Sequence, residues 1–350
     1  MASRALVARL AANRGLVIVA PKALTWRRRR CGKGFSFVTE TGKLIGDPDR
    51  IAWLKSLAVP PAYVEVRYAA DPSAHLQAVG VDAAGRLQYR YHPKWDEVRE
   101  EIKAYRLQSL AKALPAIRRA VSRGLASDEI DRRFAVAAVI EVVSLTAIRA
   151  GSEEYARERG TRGATTLLKS NLHFDGDRAV TLSFKAKGGK TISKEIRNAR
   201  IRAALARLIG LPGRRVFQYR DEAGEIHVVR AGDVNGFLRE VAGRPISLKD
   251  FRTLVASAAA LTALAAITPA SSKAKRRRQV REAVIEIAEG LANTPTVCRR
   301  SYVHDAVIDA FEEGALQQAA VKKAKTSIAQ AEVLARVVTR TRRPRIEEGS

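Results

Sequence analysis

Apolar residues recur along this chain in two rhythms, and the change between them divides it. From about residue 31 to 93 they alternate. Phe35-Ser36-Phe37-Val38 and Val64-Glu65-Val66-Arg67-Tyr68 put every second side chain on one face, as half-buried strands do. The stretches 76–81 and 86–91 flank Asp82-Ala83-Ala84-Gly85, a turn suited to a β-hairpin. A short helix is expected over 49–56, and Pro60-Pro61 punctuates the segment. After His92-Pro93 the spacing becomes helical, first over 107–125 and 130–148, with Asp128 a candidate N-cap and Gly151 a candidate stop. A second hairpin is expected at 179–185 and 191–196, around Ala186-Lys187-Gly188-Gly189. Helices follow over 200–208, 233–241, 248–267, 273–292 and 296–313, the last opened by Thr294-Pro295.

These rhythms predict an α+β chain. A basic extension covers 1–30 and ends in Trp26-Arg27-Arg28-Arg29-Arg30. A small β-rich domain covers 31–93, a larger and mainly α-helical domain covers 94–318, and a basic helix and tail cover 319–350. The longest apolar run, between Leu254 and Ile267, is shorter than the ~20 residues a bilayer core needs and reads as a buried helix. Arg9 and Arg14 break the apolar stretch that a signal peptide would place near the start.

Charge changes the picture. Lysine and arginine number 63 against 36 acidic residues, a formal net charge of +27, while 46% of the residues are hydrophobic. That composition builds a core, so the surplus sits on a folded surface and calls for a polyanion. Nucleic acid is the leading partner, because each neutralised phosphate releases counterions. Two cysteines, Cys31 and Cys298, make no disulfide scaffold and fit a reducing cytoplasm. Five scattered histidines without a Cys-x-x-Cys pair argue against structural zinc.

Four positions stand out by context. Arg149 follows a strongly apolar helix, in Thr146-Ala147-Ile148-Arg149-Ala150-Gly151. Lys187 sits on a glycine-flanked hairpin tip. Arg252, in Lys249-Asp250-Phe251-Arg252-Thr253, opens an otherwise apolar helix. Tyr302 lies just inside the helix that begins at Asn293-Thr294-Pro295. Singly, each has an ordinary structural reading: a helix-end ion pair, a solvated lysine, a core tyrosine with its hydroxyl at the rim.

In this order they resemble the type IB DNA topoisomerases, in particular the compact poxvirus and bacterial branch. Lys33-Gly34-Phe35-Ser36-Phe37, Val59-Pro60-Pro61-Ala62-Tyr63 and Gln88-Tyr89-Arg90-Tyr91-His92-Pro93 are similar to that branch's N-terminal domain. Arg149-Ala150-Gly151-Ser152-Glu153-Glu154-Tyr155 with Gly163-Ala164-Thr165-Thr166-Leu167 is similar to its first catalytic box. The resemblance implies a catalytic domain of the tyrosine recombinase/type IB topoisomerase fold, and two lobes forming a C-shaped clamp on duplex DNA. It implies Tyr302 as the nucleophile, Arg149 and Arg252 as phosphate-binding guanidiniums and Lys187 as general acid for the leaving 5′-oxygen. Asn293 stands where much of the family has a histidine, nine positions before the tyrosine; an amide keeps a donor but carries no charge. Gln88, Tyr89, Tyr91 and Tyr155 match residues that touch DNA. No metal, ATP or other cofactor is implied. A monomer without an obligate protein partner, cytoplasmic and nucleoid-associated, is expected. Two other readings stay open: a tyrosine site-specific recombinase and a non-enzymatic basic DNA-binding protein. Lys249-x-x-Arg252 speaks against the first, which carries His-x-x-Arg there, and the complete set with Tyr302 against the second.

Overall fold

The alternating segments become strands β1 (Trp26–Cys31), β2 (Gly34–Val38), β3 (Val64–Tyr68), β4 (Leu76–Val81) and β5 (Leu87–Tyr91). They pair antiparallel in the order β2-β1-β3-β4-β5 in a computed structural model that describes residues 4–316, 321, 324 and 327–340. The chain divides into two units, Ala2–Ile102 and Lys103–Ser350.

In the first unit, helix α1 (Arg4–Ala12) packs Leu10 and Ala11 with Leu16, Trp95 and Val98. Helix α2 (Pro48–Ser56) starts where Asp47 accepts the N–H groups of Asp49 and Arg50, at 3.0 and 3.3 Å. Its Leu54 joins Trp26, Phe37, Val66 and Tyr68 in one core. The run 27–30, expected to end an extension, forms most of β1 and pairs with both β2 and β3. Alternation hides this strand because an arginine takes an inward position. The Arg28 guanidinium donates to the carbonyls of Val59, Pro60 and Tyr63 at 3.0, 2.7 and 2.8 Å and lies 4.1 Å over the Phe35 ring. Those bonds satisfy a charge where an apolar residue would otherwise stand.

The second unit is mainly helical. Helix α3 (Trp95–Leu125) begins in the first unit, at Trp95 rather than near 107, and continues through the second. Helix α4 (Arg132–Thr146) is capped by Asp131, whose carboxylate accepts the Phe134 N–H at 2.7 Å. Asp128 is not its cap. The first fully buried residue, Phe134, sets where the helix must start, and Asp131 is three residues before it. The stop is Ala147, in the left-handed region at φ 53°, rather than Gly151. Helix α5 (Glu153–Arg159) and strands β6 (Leu172–Asp175), β7 (Ala179–Lys185) and β8 (Thr191–Arg197) follow, the strands in the order β6-β7-β8. The β7–β8 hairpin closes Lys185 on Thr191, and Gly188 and Gly189 take φ of 90° and 80° at its tip. Helix α6 (Ala199–Ile209), the short pair β9 (Gln218–Arg220) and β10 (Ile226–Val228), and α7 (Ala231–Ala242) come next. Helix α8 (Leu248–Ala265) is buried on nearly every side and shares one core with α4, α6 and β7.

Helix α9 (Lys273–Gly290) leads to the segment expected as one helix over 296–313. It is two: α10 (Pro295–Ser301) and α11 (Asp305–Glu312). Thr294 caps the first as expected, accepting the Val297 N–H at 3.3 Å. The second starts anew because the His304 N–H donates to Ser257 Oγ at 3.1 Å and its ring Nδ1 accepts the Ala306 N–H at 3.0 Å. Helix α12 (Ser327–Arg340) closes the described chain; residues 341–350 of the expected tail lie outside it.

The capping assignment is testable. Asp131→Ala should lower stability by about 1 kcal/mol in chemical denaturation, whereas Asp128→Ala should stay within about 0.5 kcal/mol of the parent.

Candidate active site

Four of the five expected catalytic residues meet around the exits of α4 and α9 and the first turn of α8. Arg149 is placed by a loop that cannot relax. The Arg149 carbonyl accepts the Ala164 N–H at 2.8 Å, and Ala150 accepts both the N–H and the hydroxyl of Thr165, at 2.8 and 2.9 Å. The two strands of this loop touch so closely that a Cβ on Gly163 would lie 2.5 Å from the Arg149 carbonyl oxygen. Only glycine fits there.

The Arg149 guanidinium donates to Asn293 Oδ1. Asn293 is 9% exposed and follows Ala292, which takes φ 50° as α9 ends. Its Nδ2 is buried with no hydrogen-bond partner among the described residues. An amide donor is thus held ready beside a guanidinium.

Arg252 is 3% exposed. It donates to the Ala147 carbonyl left open where α4 stops, and to Leu291 O at 3.4 Å past the end of α9. No carboxylate pairs with it among the described residues, and its Nε has no partner there. The guanidinium lies 4.8 Å over the ring of Tyr302, itself 9% exposed. Tyr302 is not inside a helix; it is the C-cap of α10. Its backbone carbonyl accepts from Ser257 Oγ at 2.8 Å. Burial pushes the Tyr302 phenol up, but Arg252 above all, then Arg149 and Lys249, outweigh it and hold the phenol below its ordinary value.

Lys187 is not brought to this cluster. It is exposed at the hairpin tip, its Nζ 5.4 Å over the ring of Tyr155. Arg159 lies over the same ring at 5.3 Å. In the first unit, Tyr89 and Tyr91 share a face as expected, 43% and 40% exposed, with ring centroids 6.1 Å apart. Gln88 turns away and donates to Asp82 at 2.8 Å.

Three further residues join the cluster. A small cavity beside Arg252 is lined by Arg149, Arg162 and Lys194 and by no acidic side chain. Burial and then Arg252 hold the Lys194 ammonium below its ordinary value. A signal for it exists: Ile192, Lys194 and Ile196 share one face of β8, so Lys194 breaks an apolar alternation. Ser257, fully buried in α8, had no such signal in an alanine-rich helix. Among the described residues no cluster of His, Cys, Asp and Glu could hold a metal ion, and no helix is long and apolar enough to cross a membrane.

Comparison with known proteins places this geometry. Residues 93–332 match the family of the eukaryotic DNA topoisomerase I catalytic core, and residues 34–82 match the bacterial DNA topoisomerase IB N-terminal domain. The DNA topoisomerase 1B of Acanthamoeba polyphaga mimivirus is 29% identical over 266 residues, covering 74% of this chain and 79% of that protein. Among solved structures, the XerH site-specific recombinase in a pre-cleavage complex with its difH substrate aligns with a TM-score of 0.36 at 14% identity, over 58% of this chain and 52% of the recombinase. The match to the catalytic core spans well over half of the sequence and contains all the clustered residues, so the chain belongs to the type IB DNA topoisomerase family.

Proposed function

We propose that this enzyme relaxes positive and negative supercoils by transient cleavage of one strand of duplex DNA. The observation that carries the mechanism is the convergence of four residues: Arg149 donates to Asn293, and Arg252, which borders the same small acid-free cavity as Arg149, lies over the Tyr302 ring. The Tyr302 oxygen attacks a backbone phosphorus, the bond from phosphorus to the 5′-oxygen breaks, and a 3′-phosphotyrosyl ester and a free 5′-hydroxyl result. The phenol gives up its proton and Lys187 supplies one to the departing oxygen. After the strand swivels, the 5′-hydroxyl attacks the ester and restores the chain. The ester conserves the bond energy, so the cycle balances without ATP and needs no metal ion.

Charge stabilisation supplies the rate. A free phenol is only ~0.1% ionised at pH 7. Cations that lower that barrier also neutralise the phosphorane, and one preorganised donor is typically worth ~3–4 kcal/mol. Planar guanidiniums suit two phosphate oxygens at once. Asn293 Nδ2 adds a neutral donor to a non-bridging oxygen. Tyr89, Tyr91 and Gln88 on β5 and Tyr155 on α5 would contact the duplex, with exposed rings available for sugar and backbone contact. The enzyme would act as a monomer, without an obligate protein partner, on the nucleoid in the cytoplasm.

Tyr302→Phe should abolish plasmid relaxation while duplex affinity stays within about twofold. Parent activity should persist in EDTA. Residual relaxation by Tyr302→Phe would mean a different nucleophile.

The pH dependence has a defined sign. Cations hold the phenol below its ordinary value, so the single-turnover cleavage rate should rise with pH and level off below pH ~10. Arg149→Ala removes one of those cations and leaves burial less opposed, so the limb should move to higher pH as the rate falls. A limb that stays in place would separate Arg149 from the phenol. Duplex affinity should also weaken steeply with salt, as expected of a +27 chain; a flat dependence would contradict phosphate-led binding.

A further inference from the structure

One face of α3 holds two of the catalytic elements, through residues that the mechanism does not use. Lys103 and Arg106 are three apart on that helix and therefore neighbours on its surface. The Arg106 guanidinium grips Asp250 with two bonds, Nε to Oδ1 at 2.6 Å and Nη2 to Oδ2 at 2.7 Å, and donates to Ser247 Oγ at 3.0 Å. Asp250 is buried and also accepts the Ser247 N–H at 2.8 Å, which closes the first turn of α8. That turn carries Arg252, two residues on.

The Lys103 ammonium bridges the carbonyls of Arg300 and Val303, at 3.2 and 3.1 Å. These flank the Ser301-Tyr302 step where α10 ends. Carbonyls at a helix end lack intrahelical partners, and a cation there also complements the helix dipole. Lys103 bonds the main chain of the Tyr302 segment, and Arg106 bonds the side chains that cap the Arg252 turn.

We infer that Lys103 and Arg106 are positioning residues that fix the Tyr302 segment and the Arg252 turn against one rigid helix, α3. The inference rests on the proposed roles of Tyr302 and Arg252. Its physical basis is that in-line attack tolerates little error: a displacement of about 1 Å at the reacting atoms can cost ~100-fold in rate. Ser257 already ties the Tyr302 carbonyl to α8. Lys103 and Arg106 complete the triangle by tying both elements to α3.

The test uses the full chain, a duplex substrate that traps the cleaved complex, and single-turnover kinetics. Arg106→Ala would strand a buried carboxylate and endanger the fold, so Arg106→Lys, which keeps the charge but loses the fork, takes its place. Lys103→Met keeps the apolar stem and loses the donors. Each should slow cleavage about tenfold or more, with duplex affinity and its salt slope within about twofold of the parent and the melting temperature little changed. In Lys103→Met the pH–rate limb should move upward, because the phenol is no longer held against Arg252. Lys103→Arg, which can still bridge two carbonyls, should recover most of the rate.

Unchanged cleavage in both variants overturns the inference. So does a loss matched by weaker binding and a shallower salt slope, which would make these residues phosphate contacts. A lowered melting temperature with an unmoved pH limb and no rescue by Lys103→Arg also overturns it, leaving plain stabilisation. Tyr302→Phe runs alongside: if it still cleaves, the underlying reading has failed; if it is inert while the two variants are normal, only the positioning role has.

Discussion

Arg252 is a full positive charge placed where almost no water reaches it and, among the described residues, no carboxylate answers it. Its partners are two main-chain carbonyls, at Ala147 and Leu291, and the face of the Tyr302 ring. Burial lowers its ordinary value, so the fold carries a standing electrostatic cost there. The rest of the catalytic unit follows from it. Helix α4 must stop at Ala147 to leave a carbonyl open, and α9 must end at Leu291 to offer the other. The small space that Arg149 and Lys194 also border offers no acidic side chain to offset that cost. Under the proposed mechanism, such cations complement the charge that develops in the reaction more than the resting state.

Cys298 shows how finely that field is aimed. It lies one turn before Tyr302 and is wholly buried. Burial pushes its thiol up to about 11, and the lowering effect of Arg252 does not compensate. At Tyr302 burial again pushes upward, but Arg252, by its charge and by a hydrogen bond, and then Arg149 and Lys249 outweigh it. The thiol in α10 and the phenol at its C-cap are thus shifted in opposite directions.

Much of this was legible in the sequence, and the exceptions have physical causes. The β7–β8 hairpin and α8 follow the apolar pattern closely, since burial decides both. Arg149, Arg252 and Tyr302 stand out by context, Asn293 enters through the family resemblance, and the four lie together because each is at or next to a helix end where the chain spends its polar groups. What the pattern concealed was set by side chains bonding to main chain over long separations. Arg28 makes β1 a strand by filling carbonyls around residue 60, and Ser257 divides one apparent helix into α10 and α11 by taking the His304 N–H. No local periodicity encodes a partner dozens of residues away.

Lys187 is the one expected catalytic group that stands apart, and under the proposed mechanism that position suits a proton donor. The other three side chains that would face the phosphate sit on helix ends, where the backbone cannot drift. Lys187 sits between an alanine and two glycines in positive φ, the most adaptable backbone in the unit. It contacts the exposed ring of Tyr155, and an exposed cation–π contact is worth about 0.5–1 kcal/mol. That is on the order of RT, so leaving it costs little. An ammonium buried beside Arg252 is held below the ordinary lysine value, by burial first and then by Arg252, as Lys194 is. Under the proposed mechanism, a donor on a solvated tip stays clear of burial and of those cations until DNA is bound. Rigid groups for the charge and a mobile one for the proton are two solutions to one electrostatic problem, and the sequence writes the difference as apolar helices around the first and a Lys-Gly-Gly tip for the second.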